Sequence, residues 1–250
     1  MADPAGNDRP EAAEFATTQW SEILLAGNPD QTGAHAALGR LCEKYWFPVY
    51  ANLRRRGSNH NDAEDLVQAF FAFVLSSQKL SVADQSRGRF RSFLLTACNN
   101  FVSNTHRHNN ALRRGGGQKT VSLNVNMDDH ARRYDETNSQ QWTPDQLFDR
   151  RWALELIELA TQRVRAEYES RGSSDWFDAL QPFIAPAGDT PSYAQVAEGM
   201  NVSVGSVKTA VHRIRKRFGV ALQEEVAETV QHQSDVKNEL NILLDALAGR

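Results

Sequence analysis

The sequence has little cysteine and no long apolar run. Its two cysteines, Cys42 and Cys98, lie far apart, form no C-x-x-C pair and sit within apolar stretches. This pattern argues against a disulfide framework or a cysteine-ligated metal, and it is typical of reduced core residues. No stretch approaches the roughly 18 consecutive apolar residues that a membrane-spanning helix requires. We therefore expect a cytoplasmic protein with no membrane partner, no metal and no cofactor.

The net charge is also small, but its distribution is uneven. The 250 residues carry a formal net charge of -3, which alone excludes no class of partner. Residues 85–127 contain seven Lys or Arg and no Asp or Glu, whereas residues 220–250 contain two basic and six acidic residues. Residues 85–127 are one basic region, and the basic helix described next is a second. Two separate basic regions are what two separate DNA contacts would require.

The most informative stretch is residues 192–218, SYAQVAEGMNVSVGSVKTAVHRIRKRF. Ser192 is placed to cap a short helix, and Gln195, three residues later, can return a hydrogen bond to the cap. Residues 200–202 form the turn, and Ser203 is placed to cap a second helix, whose apolar residues recur every three or four positions. The pattern predicts a helix-turn-helix.

One face of the second predicted helix is apolar, and the other is polar and basic without any acid. A helix that lies in the major groove between two phosphate strands needs such a face. Any amphipathic helical pair gives part of this pattern, and a Lys/Arg cluster is commonly only a solvated face. The short first helix, the capped turn and the one-sided charge together favour DNA binding. The candidate DNA-binding residues are Ser206, Lys208, Thr209, His212, Arg213, Arg215, Lys216 and Arg217.

Residues 61–75, NDAEDLVQAFFAFVL, predict a second well-defined helix. Asn61 can cap it, Glu64 can complete the cap pairing, and Asp62, Glu64 and Asp65 suit the positive first turn. The apolar residues behind these acids are too many for a single buried stripe. Periodicity leaves open whether this helix is central in the fold or also meets a partner.

Residues 90–104 predict a third helix with a basic, amide-rich outer face, preceded by a polar loop over residues 76–89. Such a face suits single-stranded or melted nucleic acid, because cations follow phosphates and amides meet base edges. A plain polar face explains the same residues equally well. The candidate contacts to a melted strand are Arg89, Arg91, Asn99, Asn100, Ser103, Asn104 and Arg107.

The expected fold class is all-α, with two small helical domains joined by a flexible linker. We predict a disordered segment at 1–14, a first domain at 15–118, a linker at 119–143 and the helix-turn-helix domain at 144–219. Residues 220–250 form a C-terminal extension of amphipathic helices with a break near 232–235. Packing of this extension against the preceding domain is favoured over a partner interface.

With these segments in hand, the chain resembles an RNA polymerase sigma factor of the extracytoplasmic-function group within the sigma-70 superfamily. Residues 62–71, DAEDLVQAFF, are similar to the family's region that grips the coiled coil of the polymerase clamp. Residues 192–218 are similar to its helix-turn-helix, and residues 90–107 to the helix that faces the melting promoter element. The approach WFDALQPFIAPAGDTP, residues 176–191, departs from the family pattern, as does Asn104 in place of an acid.

The resemblance implies a transcription initiation factor with no enzymatic activity of its own. The first domain would bind core RNA polymerase and the -10 promoter element, holding a flipped base in the 76–89 loop, and the second would read the -35 element. Lys208, Thr209 and His212 would meet base edges, and the arginines and Lys216 would meet phosphates. The resemblance also admits an anti-sigma factor or another regulator as a partner. The polymerase contacts that it implies are Asp62, Glu64, Asp65, Gln68 and Phe71.

Two other classes of function fit parts of the sequence. A stand-alone regulator would use the helix-turn-helix to bind an operator, as a dimer through the C-terminal helices. A nucleic-acid-processing enzyme would assemble a metal site from His106, His108, Asp128 and Asp129. That second class is disfavoured, because H-x-H at a basic helix end is usually solvated and no third ligand has a recognisable spacing.

Overall fold

The computed structural model describes residues 34–76, 90–112, 134, 142–184, 190–230 and 233–249. Its regular elements are all helical, so the predicted all-α class is confirmed for these ranges. The predicted disordered segment and the predicted loop at 76–89 lie outside the described residues, apart from Ser76. The helices are α1 Ala34–Arg55, α2 His60–Ser76, α3 Phe90–Leu112, α4 Pro144–Ser170, α5 Ser174–Leu180, α6 Tyr193–Gly199, α7 Val204–Ala227 and α8 Val236–Ala248, with 3-10 turns at Gln181–Phe183 and Gln233–Asp235.

A tight corner joins α1 to α2. Gly57 has a φ of 101°, and the amide of Ser58 donates to the carbonyl of Leu53 at 3.2 Å. A left-handed residue at this point ends a helix and satisfies its last carbonyls, and glycine adopts this conformation without strain. Helix α1 therefore ends just before Gly57.

The start of α2 differs from the prediction. Asn59, not Asn61, is the cap: its Oδ1 accepts from the Asp62 amide at 2.8 Å, and its Nδ2 donates to the Asp62 carboxylate at 2.7 Å. Glu64 makes no cap pairing here and lies 3.6 Å from Nε2 of His60. The chain reverses immediately after Gly57, so the helix begins two residues earlier than its acid pattern indicated.

The first of two hydrophobic cores is rich in aromatic residues. It includes Tyr45, Trp46 and Tyr50 of α1, which are at most 1% exposed. Helix α2 contributes a broad buried face of five residues and is therefore central in this core. Helix α3, the N-terminal half of α4, the end of α7 and α8 complete it. The α2 residues are Ala63, Val67, Phe70, Phe71 and Val74; the others include Leu147, Phe148, Trp152, Leu156, Val226, Val230, Val236 and Leu243.

The second core holds the rest of α4 together with α5, α6 and α7. Helix α4 thus contributes to both cores, and residues from both sides of the predicted 119–143 linker share the first one. One residue of that predicted linker is described: the ring of Tyr134 lies 6.2 Å from that of Tyr50, centroid to centroid. The division into two domains stays a prediction. The buried residues of the second core are Ala160, Val164, Phe177, Leu180, Phe183, Val196, Ala197, Val207, Val211, Ile214 and Ala221.

Helix α7 is longer than the predicted recognition helix, because it continues through Gly219 to Ala227. A glycine inside a helix costs only about 1 kcal/mol relative to alanine, which the buried residues on either side can offset. Val226 of α7 and Val236 and Leu243 beyond it are buried in the first core. The C-terminal extension was predicted to pack against the preceding domain; it does pack within the chain, but in the core that it shares with α1, α2 and α3 as well as with α4.

Candidate nucleic-acid interface

The turn between α6 and α7 is held by side chains at both helix starts. The Ser192 hydroxyl accepts from the Gln195 amide at 3.2 Å, and Gln195 Oε1 accepts from the Ser192 amide at 2.8 Å. The Ser203 hydroxyl accepts from the Ser206 amide at 3.1 Å. Between them Asn201 adopts a φ of 53°, a left-handed conformation that asparagine tolerates well. The two predicted caps, Ser192 and Ser203, and the predicted return hydrogen bond at Gln195 are confirmed.

The buried apolar face of α7 determines where its polar face points. Val207, Val211 and Ile214 are 0%, 3% and 0% exposed. The polar face consequently points away from both cores. Seven of the eight predicted DNA-binding residues are exposed, and Arg217 is partly buried. The exposed seven are Ser206, Lys208, Thr209, His212, Arg213, Arg215 and Lys216.

Two arginines of this face are anchored to the protein itself. Arg215 Nε donates to the carbonyl of Phe183 at 2.8 Å. Arg217 Nε donates to both carboxylate oxygens of Glu167, at 2.8 and 2.7 Å. The hydrogen bond from Arg217 lowers the pKa of the Glu167 carboxyl and raises the pKa of the guanidinium. Arg217 therefore already has an anionic partner 50 residues away, which the local sequence pattern did not reveal.

An open groove of about 620 Å³ runs beside the start of α7. Ser206, Thr209 and Arg213 of α7 line this groove together with Tyr168 and Trp176. Trp176 packs against the second core and is only partly buried. A ligand lying on the polar face of α7 would meet these two aromatic residues as well, a relationship that only the fold creates.

The candidate contacts on α3 divide into two groups. Asn100, Ser103, Asn104 and Arg107 are exposed and, at spacings of three, four and seven residues, share one face of the helix. Arg107 Nη1 donates to Asn104 Oδ1 at 3.3 Å on this face. Asn99 is only partly exposed. Arg89, in the loop before α3, lies outside the described residues.

Arg91 does not face outward as predicted; it is 5% exposed. Its Nε donates to Oε1 of Glu239 at 3.0 Å, and its Nη1 is paired with Asp149. Burial alone would lower the pKa of this guanidinium, but the two carboxylates raise it above its ordinary value. Helical spacing puts it on the buried face of α3 with Leu94 and Cys98, three and seven residues later, and its ionic partners lie on α4 and α8, far along the chain.

The five residues of the predicted polymerase contact are not brought to one surface. Asp62 and Asp65 are exposed on the first turns of α2, and Glu64 is partly buried. Gln68 and Phe71 are 7% and 0% exposed. Of these five residues, only Asp62 and Asp65 are fully exposed to a partner.

The described residues contain no group of three or more His, Cys, Asp and Glu side chains arranged to hold a metal. The four residues of the alternative metal site have side chains outside the described part of the chain. Over the described ranges, none of the helices combines the length and apolarity needed to cross a bilayer. No protein-family model, curated protein or solved structure matches the chain.

Proposed function

We propose that this protein is a sigma factor, which binds core RNA polymerase and directs transcription to specific promoters. The helix pair α6–α7 reads the -35 element, and the polar face of α3 contacts the melted -10 element. One observation carries the proposal: the polar face of α7 over residues 204–218, which contains no acid, is exposed on a helix whose start is capped and whose opposite face is buried.

The α7 face suits duplex DNA in shape and in charge. The major groove is about 12 Å wide and admits one helix, whose N-terminal residues reach base edges. Lys208, Thr209 and His212 lie in the exposed N-terminal half of α7, whereas Arg215 and Lys216 follow one to two turns later. The first three are therefore assigned to bases and the last two to phosphates. Arg215 donates its Nε to the Phe183 carbonyl, so the two terminal nitrogens of its guanidinium remain for a phosphate.

Two further features support the sigma-factor assignment. Asp62 and Asp65 present carboxylates one turn apart at the start of α2, where the sequence resembles the family's polymerase-binding region. The exposed row on α3, from Asn100 to Arg107, combines amides, a hydroxyl and a cation, which can contact unpaired bases and phosphates. A protein of this kind supplies selectivity, and the polymerase supplies the chemistry.

Reconstitution with core polymerase and a pool of promoter fragments tests the proposal. The wild-type chain should co-purify with the polymerase and give transcripts with defined start sites. Asp65→Arg should abolish co-purification with its helical circular dichroism intact, because it reverses the charge of the exposed α2 contact. Glu158→Arg, the same charge change on the exposed side of α4, should leave both unchanged. Failure of the wild-type chain to associate with polymerase would overturn the proposal.

A second candidate is a stand-alone regulator that binds an operator through α6–α7. The burial of Gln68 and Phe71 favours it, because two of the five residues implied in polymerase binding are inaccessible here. Dimerisation through the C-terminal helices is not favoured in the same way, since Val236 and Leu243 already pack in the first core. Specific duplex binding without any polymerase association would identify this second function.

A further inference from the structure

The groove beside the start of α7 has the size and the lining of a small-molecule site. Its volume of about 620 Å³ lies within the range of about 300–1,000 Å³ that such sites occupy in proteins. Its lining comes from the end of α4, from α5 and from the N-terminal part of α7. Ligand sites combine apolar surface with a few polar groups, and this groove has both. The residues that a ligand would meet include Tyr168, Trp176, Leu180, Ser206, Thr209 and Arg213.

The apolar part of the groove continues the second core. Leu180 is 0% exposed, and the ring of Tyr168 packs edge-on against the buried ring of Phe177, with 5.9 Å between the centroids. Trp176 also packs against this core. Tyr168 and Trp176 are nevertheless partly exposed, so each ring is held by the core and keeps some of its surface open. A planar aromatic ligand gains both apolar burial and ring stacking on such a surface.

The polar part of the groove carries an available positive charge. Ser206, Thr209 and Arg213 follow one another at spacings of three and four residues and so form one row along α7. Arg213 is exposed, and within the described ranges it has no hydrogen-bond or ion-pair partner. Burial raises the pKa of Tyr168, and the charges of Arg171 and Arg213 oppose this rise. The Arg213 guanidinium therefore acts on the aromatic part of the groove as well as on the row.

We propose that this groove binds a small aromatic carboxylate, an effector that competes with DNA for α7. The aromatic body packs against Tyr168 and Trp176, and the carboxylate pairs with Arg213, because a guanidinium binds a carboxylate through two parallel, charge-assisted hydrogen bonds. An aliphatic acid would leave the two rings uncovered, and a neutral aromatic compound would leave the guanidinium unpaired. The bound effector covers Ser206, Thr209 and Arg213, which are candidate DNA contacts. The competition rests on the proposed function, whereas the binding of the effector does not.

The site is tested on the full chain with cinnamate, a planar aromatic carboxylate, and with its neutral analogue cinnamamide. The readout is the indole N–H signal of Trp176 in proton–nitrogen correlation spectra, identified among the five tryptophans by its loss in Trp176→Phe. Cinnamate should shift this signal and bind about threefold to tenfold more tightly than cinnamamide, since only the acid pairs with the exposed guanidinium. Arg213→Gln should abolish that preference. Lys216→Gln should retain it, because Lys216 is an exposed cation of α7 that does not line the groove.

A Trp176 signal that stays in place at millimolar cinnamate would overturn the site. An unchanged preference for cinnamate in Arg213→Gln would overturn it as well.

Competition is measured by the anisotropy of a fluorescein-labelled duplex that the wild-type chain has selected from a random pool. Cinnamate at a concentration equal to its own Kd should about double the apparent Kd of the duplex. Acetate at the same concentration is the control, since it supplies the same ionic strength and charge without a ring. Bound cinnamate with no effect on the duplex would overturn the competition. A chain that binds cinnamate but ignores core polymerase would overturn the proposed function and leave the effector site standing.

Discussion

Arg217 of α7 and Glu167 of α4 form a two-pronged ion pair, with Arg217 Nε at 2.8 and 2.7 Å from the two carboxylate oxygens. The hydrogen bond to Arg217 holds the pKa of Glu167 below its ordinary value. A carboxyl whose pKa is lower in the folded state stabilises the fold above its unfolded pKa, and this contribution disappears as the pH falls through the folded pKa. The pair is partly exposed, so its contribution at neutral pH is about 1 kcal/mol or less.

Glu167→Gln should therefore lower the free energy of unfolding at pH 7 by up to about 1 kcal/mol. The difference from the wild-type chain should shrink as the pH falls below about 4.3, the ordinary glutamate value. Urea unfolding at pH 7 and at steps down to pH 3 measures both effects. Glu158→Gln is the matched control on the same helix, since its recorded contact is with Gln162. A Glu167→Gln difference that stays constant with pH would contradict the assignment.

Glu167→Gln should weaken the fold but strengthen the binding of duplex DNA. Without its carboxylate partner, the Arg217 guanidinium becomes available to a backbone phosphate. Glu167→Gln should then steepen the salt dependence of duplex binding by about 0.9, the slope for one phosphate contact on B-form DNA. An unchanged slope would show that Arg217 has no phosphate within reach, and its predicted role would be wrong.

The cap of α2 can be tested by a pair of asparagine substitutions. Asn59→Ala should lower the free energy of unfolding by about 1 kcal/mol, because the Asp62 amide loses its acceptor. Asn61→Ala should lie within about 0.5 kcal/mol of the wild-type value, since Asn61 is exposed within the first turn. Chemical denaturation of the two variants side by side measures the difference. Equal losses would contradict Asn59 as the cap.

Local patterns predicted much of the interface correctly. The cap at Ser192 and the cap at Ser203 depend on hydrogen bonds that close within three residues, so the sequence contains all the partners. The error at Asn59 has the same origin, because Asn59 and Asp62 have the same three-residue spacing as Asn61 and Glu64. The choice between these pairs depends on where the chain turns after α1, which is at Gly57.

Long-range contacts set the limit of prediction. Arg91 was predicted to face outward because it is charged, but its partners Asp149 and Glu239, 58 and 148 residues away, neutralise it on the buried face of α3. Burial of Gln68 and Phe71 likewise depends on helices whose packing no local pattern specifies. The exposed residues of α7 were predictable because the apolar stripe on its other face is local. The ion pair of Arg217 with Glu167 and the groove that α7 shares with Trp176 were not predictable, because they join residues far apart in the sequence.

Base readout and phosphate contact on α7 should separate in mutant titrations. Lys208→Ala and His212→Ala should each change which sequence is preferred, with about 10- to 100-fold losses confined to particular base pairs, because a good base contact contributes about 1–3 kcal/mol. Lys216→Ala should weaken all sequences alike and lower the salt slope by about one. Selection from a randomised duplex pool, followed by salt titration, measures both properties. The opposite pattern would exchange the two roles.

Trp152 provides the test of whether the 119–143 segment separates two independent folding units. Its ring is 1% exposed in the core that also holds α1 and α2, although Trp152 follows that segment in the sequence. Trp152→Phe leaves part of this core unfilled and should lower the free energy of unfolding by about 1–3 kcal/mol, and Trp152→Ala by about 3–5 kcal/mol.

If the shared core unites the chain, hydrogen exchange in Trp152→Ala should accelerate in α2 and in α4 alike. Val164→Ala, in the second core, is the comparison. An increase in the hydrogen exchange of α2 caused by this variant would have to be transmitted along α4. Unchanged protection of α2 in Trp152→Ala would instead establish the first unit as autonomous, and a cut within 119–143 would then release two folded halves.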